Sequence, residues 1–468
     1  MGDAALTTAH GLTLQLVTHA CVLLEAGPIR LLCDPWLSGP AFADGWRLLV
    51  EPVETIVDLA PTHIWLSHEH PDHFSPRDLR AVPRALRAGI TVLYQQTKDR
   101  KIERFLAAQG YPVQVLPLLE TVPLAPGVEV VCGAVGADSW LVLRAGDRTV
   151  VNLNDCITGQ DILVADADAL DHSVLRPLAH IAHGADLLLT QFSYSNWVGN
   201  ADDHWLHQLQ ADTKLGQVRQ QIRQLGVGAV LPFASQVWFS HTENSDHNRC
   251  VNRPRRAADV ITEEGAAPIV LVPGDRWDVG TPHAPEPGCQ YWDGVYDGIP
   301  HRVAEVAPVV PFEALVQRFE AYRARVAEKN DWEAIAALFE REAIPPATVH
   351  LWDLGQSASL DLVGGLVESA HPAQDCDVSL GSEMLDYILR FEWGRGTLLV
   401  SARFAADYRG LSRFLTQTQI AYANNIGLSY PDTLEAQVVL DPPSYVARFA
   451  EKALMLAERR RHDPAPTG

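Results

Sequence analysis

The 468-residue sequence has no Cys-x-x-Cys or Cys-x-His pair, no apolar run approaching the roughly twenty residues that cross a bilayer, and too few cations to balance its acids. Its seven cysteines (Cys21, Cys33, Cys132, Cys156, Cys250, Cys289 and Cys376) are an odd number without metal-site spacing. They read as reduced, mostly buried small hydrophobes rather than a disulfide framework. Only Cys156, next to an acidic strand end, invites comparison of a catalytic thiol with core packing. Lys and Arg number 37 against 58 Asp and Glu, a formal net charge of −21. A nucleic acid or an anionic membrane would be repelled before contact, which excludes both as partners. No charged-then-apolar leader precedes the first strand. These absences leave a cytoplasmic globular protein acting on a small molecule. At 47% hydrophobic and 20% charged, the length suggests two domains.

What is present is concentrated in Ile64-Trp65-Leu66-Ser67-His68-Glu69-His70-Pro71-Asp72-His73. The apolar run reads as a short buried strand, and it stops in three imidazoles and an aspartate within six residues. Imidazole nitrogen and carboxylate oxygen suit zinc, iron, manganese or cobalt, and the spacing lets one loop aim two donors at each of two adjacent ions. Asp155 closes another apolar run, Thr149 to Leu153, and a carboxylate at such a strand end can contact both ions. Its alternative is to cap a helix starting near Gln160.

His68-x-His70-x-Asp72-His73 resembles the signature of the metallo-β-lactamase superfamily, which implies an α/β fold, an αββα sandwich with a dinuclear site along one edge. The resemblance implies that His68 and His70 hold one metal while Asp72 and His73 hold the second. Three further stretches resemble the CMP-N-acetylneuraminate hydroxylase branch: Thr18-His19-Ala20-Cys21 through Asp34-Pro35-Trp36-Leu37-Ser38-Gly39-Pro40-Ala41-Phe42, then Asn152-Leu153-Asn154-Asp155-Cys156, and Pro232-Phe233-Ala234-Ser235 with Phe239-Ser240-His241. By that resemblance His241, rather than its rival His247, completes the second metal and joins Asp72 in the chemistry. His19 is read as satisfying a turn rather than reaching the metals. The superfamily's intermediate histidine is missing, and Gly133-Ala134-Val135-Gly136-Ala137-Asp138-Ser139 stands in its place, so Asp138 is expected to substitute for it. The oxygen-richer donor set shifts the preference among two transition-metal ions towards iron, with zinc or manganese as alternatives.

Substrate contacts are expected from Trp36 in a proline-pinned loop, from Asn196 in a polar and aromatic loop, and from Arg253 and Arg255. The two arginines belong to a group with Arg249 and Arg256, four guanidiniums in eight residues that can clamp an anion or form a solvated basic loop. Five further histidines of the first domain, His172, His180, His183, His204 and His207, are read as surface or core residues.

The first domain is expected over residues 1–300. It closes with a strand at Val270 to Val272, followed by a proline- and glycine-rich linker from Gly280 to Pro311. A C-terminal α+β domain over 312–458 faintly resembles a sterol-carrier-type domain between Asp377 and Val400, and a disordered tail follows over 459–468. Two functions stay open. One is a non-haem iron oxygenase or hydroxylase acting on a small polar or anionic metabolite; the other is a dinuclear hydrolase of an ester, amide or phosphodiester. The oxygenase is preferred on the branch resemblance and the missing histidine. That branch carries a Rieske domain needing paired Cys and His ligands, absent here, so either electrons come from a separate protein, or a diiron centre takes them from the substrate, or the activity is not oxygenation. A homodimer is the other partnership considered.

Overall fold

The computed structural model describes residues 11–156 and 175–462. Two seven-stranded sheets form its centre. In the first, Leu12–Thr18, Cys21–Ala26 and Ile29–Cys33 run antiparallel, then His63–Leu66, Thr91–Gln95 and Val113–Leu116 add parallel to Ile29–Cys33, with Arg276–Asp278 on the other edge. The second repeats this plan: Thr121–Ala125, Val128–Val135, Asp138–Ala145 and Arg148–Asn154 are antiparallel, and Leu187–Gln191, Ala229–Phe233 and Ala267–Pro268 follow in parallel.

Side chains alternate across each strand, and the apolar residues of this chain occupy both faces. Leu31 and Cys33 join Leu141 and Leu143 in the core between the sheets. Their neighbours face outwards: Leu32 packs with Leu79 and Leu106 beneath helices Pro76–Ala81 and Lys101–Gln109, and Val142 packs with Leu178 and Ile222 beneath Leu175–Ala182 and His204–Leu225. This is the expected αββα sandwich. Cys156 packs in the outer core beside Trp140 and Leu175, and burial pushes its thiol up. All seven cysteines are free.

The C-terminal α+β unit has a five-stranded sheet ordered Gly365–Ser369, Gln356–Asp361, Ala347–Leu351, Val378–Leu380, Phe404–Ala406. Its core is continuous with Trp36, Phe42, Trp46, Trp197 and Phe239 of the first unit. Among the described residues no helix is long and apolar enough to cross a membrane.

Three local expectations change. Gly280 to Pro311 contains the helix Glu286–Asp297, which buries Cys289, Trp292 and Tyr296; Pro287 falls in the first turn, where a missing N–H costs nothing. The closing strand is Arg276–Asp278 rather than Val270 to Val272. The last helix, Tyr445–His462, carries Arg459 to His462 within it rather than in a disordered tail; residues 463–468 lie outside the described residues, as do His172 and the helix that Asp155 was weighed as capping.

Candidate metal centre

The parallel strands of both sheets end on one side, and their C-terminal loops converge there. His63–Leu66 is fully paired between Ile29–Cys33 and Thr91–Gln95, so the chain leaving it is anchored. Ser67, next in line, donates from its backbone N and its Oγ to the Asp34 carboxylate, each at 2.8 Å. Its carbonyl accepts from Ser139 Oγ at 2.6 Å and Gln95 Nε2 at 3.2 Å. A tight turn then brings His73 N and Phe74 N to His70 O at 3.0 and 2.7 Å, folding the loop so that His68, Asp72 and His73 are buried together with the exposed His70 beside them.

Three groups of donors form, within each of which the atoms lie within 4.8 Å of one another: His68, His70 and Asp138; His19, Asp72 and His73; and His68, His73 and Asp155. Shared members make them one cluster of four imidazoles and three carboxylates able to bind metal ions. The arrangement fits cations. His68 Nε2 and His70 Nδ1 stand 2.9 Å apart, within N–H···N hydrogen-bond distance and close enough to converge on one ion. His73 Nε2 stands 3.2 Å from Asp72 Oδ2 and 3.3 Å from Asp155 Oδ2, yet it makes no hydrogen bond, and both His19 ring nitrogens and Asp72 Oδ1 are likewise buried without one. Buried polar atoms without partners are rare, and their convergence on common points is what ligands of an ion present.

Electrostatics follow from the crowding. Burial, then the neighbouring His73, lowers His68 to about 4 and keeps its ring neutral, as metal ligation requires. For His73 burial opposes the charge, but Asp72 and Asp155 outweigh it and raise the ring well above its ordinary value. Desolvation in the recessed site raises Asp138 to about 6.

Asp34 was not singled out, and it organises the site. It is fully buried and, besides Ser67, accepts from Asn154 Nδ2 at 2.5 Å and lies 3.2 Å from His73 Nδ1. A carboxylate behind an imidazole fixes which nitrogen faces the metal. The signal was available, because Asp34 follows a buried strand just as Asp155 does.

His19 and His241 exchange the places expected of them. A bulge between Leu16 and Thr18, followed by a positive φ of 28° at His19, turns its ring inwards, 3.4 Å from Asp72 Oδ2. His241 belongs to none of the three groups. It lies 3.4 Å from Glu243 at the junction with the second unit, and burial together with Arg403 lowers it to about 4. His247 is buried and stacked on His207, with ring centroids 4.8 Å apart.

The cluster opens into a cavity of about 320 Å³. Asn196 is in its wall, with Phe42 and Trp46, whereas Trp36 is buried behind it with its ring edge-on to His19 at 5.6 Å. Trp36 therefore supports a donor instead of lining the cavity. Arg253 and Arg255 are also elsewhere: Arg253 pairs with Asp297 at 2.7 Å, and Arg255 with Asp293 and Glu286 at 2.6 and 2.8 Å. Both are spent on the helix Glu286–Asp297. Arg249 pairs with Asp246 and Arg256 with Asp212.

A profile of the beta-lactamase superfamily domain matches residues 13–115. The chain is 30% identical over 167 residues to a UPF0173 metal-dependent hydrolase of Pyrobaculum islandicum, covering 34% of this chain and 68% of that one. It is 26% identical over 272 residues to the cytidine monophosphate-N-acetylneuraminic acid hydroxylase of Mus musculus, covering 53% of this chain and 44% of that protein. To the hydroxylase of Danio rerio it is 48% identical over 69 residues, 14% of this chain and 12% of that one. The chain thus spans less than half the length of these hydroxylases. Among solved structures, CmlA, a diiron β-hydroxylase from Streptomyces venezuelae, is similar at 17% identity and a TM-score of 0.40, over 58% of this chain and 55% of that chain. With two thirds of the archaeal hydrolase matched and an αββα sandwich carrying the His/Asp loop at its edge, the chain belongs to the metallo-β-lactamase superfamily.

Proposed function

We propose that this protein is a metal-dependent oxygenase acting on a small polar or anionic molecule at a non-haem iron centre. The observation that carries the reading is the cluster itself: two of its groups, His68, His70 and Asp138 and then His19, Asp72 and His73, are each two imidazoles and one carboxylate without sulfur, a set that suits non-haem iron. The identity to the hydroxylases supports oxidation over hydrolysis. His68, His70 and Asp138 would hold one ion, His19, Asp72 and His73 the other, with Asp155 adjoining both. Iron bound there would supply the activation of dioxygen, with electrons from a separate donor.

The protein's own groups prepare the site. Asp34 and Ser67 Oγ hold the Nδ1 sides of His73 and His68, turning both Nε2 atoms towards the carboxylates. Gln191 donates to Asp155 Oδ1 at 3.2 Å and fixes that carboxylate's orientation. Phe42, Trp46, Leu399 and Val400 line the cavity with apolar surface that limits water.

A hydrolase is the second reading, favoured by the match to a protein named as a metal-dependent hydrolase. The metal-free full chain, reloaded anaerobically with Fe(II) or with Zn(II), separates the two. With a chemical electron donor and air then supplied, oxygenation predicts sustained dioxygen consumption by the iron form and none by the zinc form; turnover of an ester or phosphodiester panel by the zinc form, without dioxygen uptake by the reduced iron form, overturns it.

A further inference from the structure

Two buried cations in the cavity wall have no part in the cluster. Lys214 comes from the long helix His204–Leu225, is 4% exposed, and hydrogen-bonds to Gln191 Oε1. Arg395 comes from the helix Gly394–Ser401 of the second unit and is 3% exposed. One of its terminal nitrogens donates to Leu415 O at 3.1 Å and Gln419 Oε1 at 2.6 Å, and its plane lies 4.0 Å from the Tyr422 ring centroid. Its Nε is buried without a partner. Among the described residues neither cation has a carboxylate in ion-pair contact; Asp155 and Asp138 reach Lys214 only at longer range.

A buried cation without a counter-ion costs several kcal/mol, a cost retained where a ligand supplies the missing charge. Burial lowers Lys214 to about 8 and Arg395 to about 10, so both are still cationic near neutrality, Lys214 in large part. The wall between polar Gln191, Ser195, Asn196 and Ser444 includes an apolar patch of Leu399, Val400 and Val446. We propose that Lys214 and Arg395 together hold the carboxylate or phosphate of a small substrate whose apolar body lies against the second unit. The inference rests on the metal-dependent reading, because Asp72, Asp138 and Asp155 share the cavity and repel an anion unless metal ions offset them. It gives the second unit a part in recognition.

The test is calorimetric titration of the full chain, loaded with Mn(II) and its metal content measured, with hexyl phosphate, hexanoate and 1-hexanol. Both the clamp and its preference between the two anions are read from these arms. At least one anion should bind about tenfold or more tighter than hexanol, and Lys214→Met and Arg395→Met should each remove about tenfold or more of that affinity while leaving hexanol binding unchanged. Lys214→Met should not lower the melting temperature, since replacing an uncompensated buried charge by an apolar chain is neutral or stabilising. Arg395→Lys, which keeps the charge, should retain part of the affinity, so that loss of the Gln419 contact alone is excluded. Metal-loaded protein that binds neither anion, or binds them as well after Lys214→Met and Arg395→Met, overturns the clamp. Protein that takes up no metal overturns the metal-dependent reading and the clamp with it.

Discussion

Asp34→Asn isolates the role of the carboxylate behind His73. Asp34 has a left-handed backbone, φ 41°, which asparagine adopts more readily than almost any other residue, so the change reports on the side chain. The retained oxygen can still accept from Ser67 N. The other position becomes an amide NH₂ facing Asn154 Nδ2 and His73 Nδ1, which were 2.5 and 3.2 Å from Oδ2. Two donors, Asn154 Nδ2 and the new amide, then oppose each other in a fully buried place. Losing a charge-assisted bond and creating that clash costs about 2–3 kcal/mol of stability. His73 also loses the group that turns Nε2 towards Asp72 and Asp155, so metal affinity should fall roughly 10–100-fold. Competition with a chelator of known affinity measures the second effect, and urea unfolding of the metal-free chain the first. A variant that is destabilised yet binds metal with unchanged affinity refutes the orienting role and leaves Asp34 as a structural pin.

Three further outcomes are expected. Replacing His70 and Asp72 together by alanine removes one donor from each of two groups, and elemental analysis should find at most about half of the wild-type metal; full content sinks the assignment. His241→Ala should leave metal content unchanged, because His241 is outside all three groups; lost metal would return it to the site. His247 is lowered from 6.5 to about 3, first by burial and then by His207, so between those values the unfolded chain binds a proton that the folded chain does not. Its contribution is fully present above pH 6.5 and is lost as pH falls, at about 1.4 kcal/mol per unit; His247→Gln should flatten the acid limb of stability against pH by that slope, and an unchanged limb contradicts the burial argument.

The metal loop was legible because its four donors are contiguous, and no tertiary event is needed to bring them together. Asp155 was legible as the polar residue closing a strand run, and Asp138 only because it stands where the superfamily's intermediate histidine is missing. What sequence did not reveal depends on long-range packing. Choosing His19 over His241 required knowing that a bulge in the first strand rotates His19 inwards while the loop of His241 turns to the second unit. The arginine group misled for a traceable reason: Pro285, Gly288, Gly294 and Gly298 hid the period of the helix that supplies Glu286, Asp293 and Asp297, so its basic partners looked unpaired. Lys214 lies on a helix that buries Gln210, Thr213, Gln217 and Gln221 as well, polar on faces that simple amphipathic reasoning assigns to solvent.

The junction explains why His241 lies outside the cluster. Arg403 of the second unit, with a side chain 1% exposed, reaches Glu243 at 2.7 Å and Glu383 at 2.9 Å and donates to Ala43 O. Asn244 donates to Gly45 O at 2.9 Å and Ser401 O at 2.7 Å, and a Cβ on Gly45 would stand 2.7 Å from that of Ser401, so only glycine permits this approach. These contacts grip the loop that carries Phe42 and Trp46, two walls of the cavity, while Arg395, Leu399 and Val400 from the same helix as Ser401 form the facing wall. The cluster is built wholly from residues before position 156, yet the space in which a substrate meets it exists only where the two units are locked together.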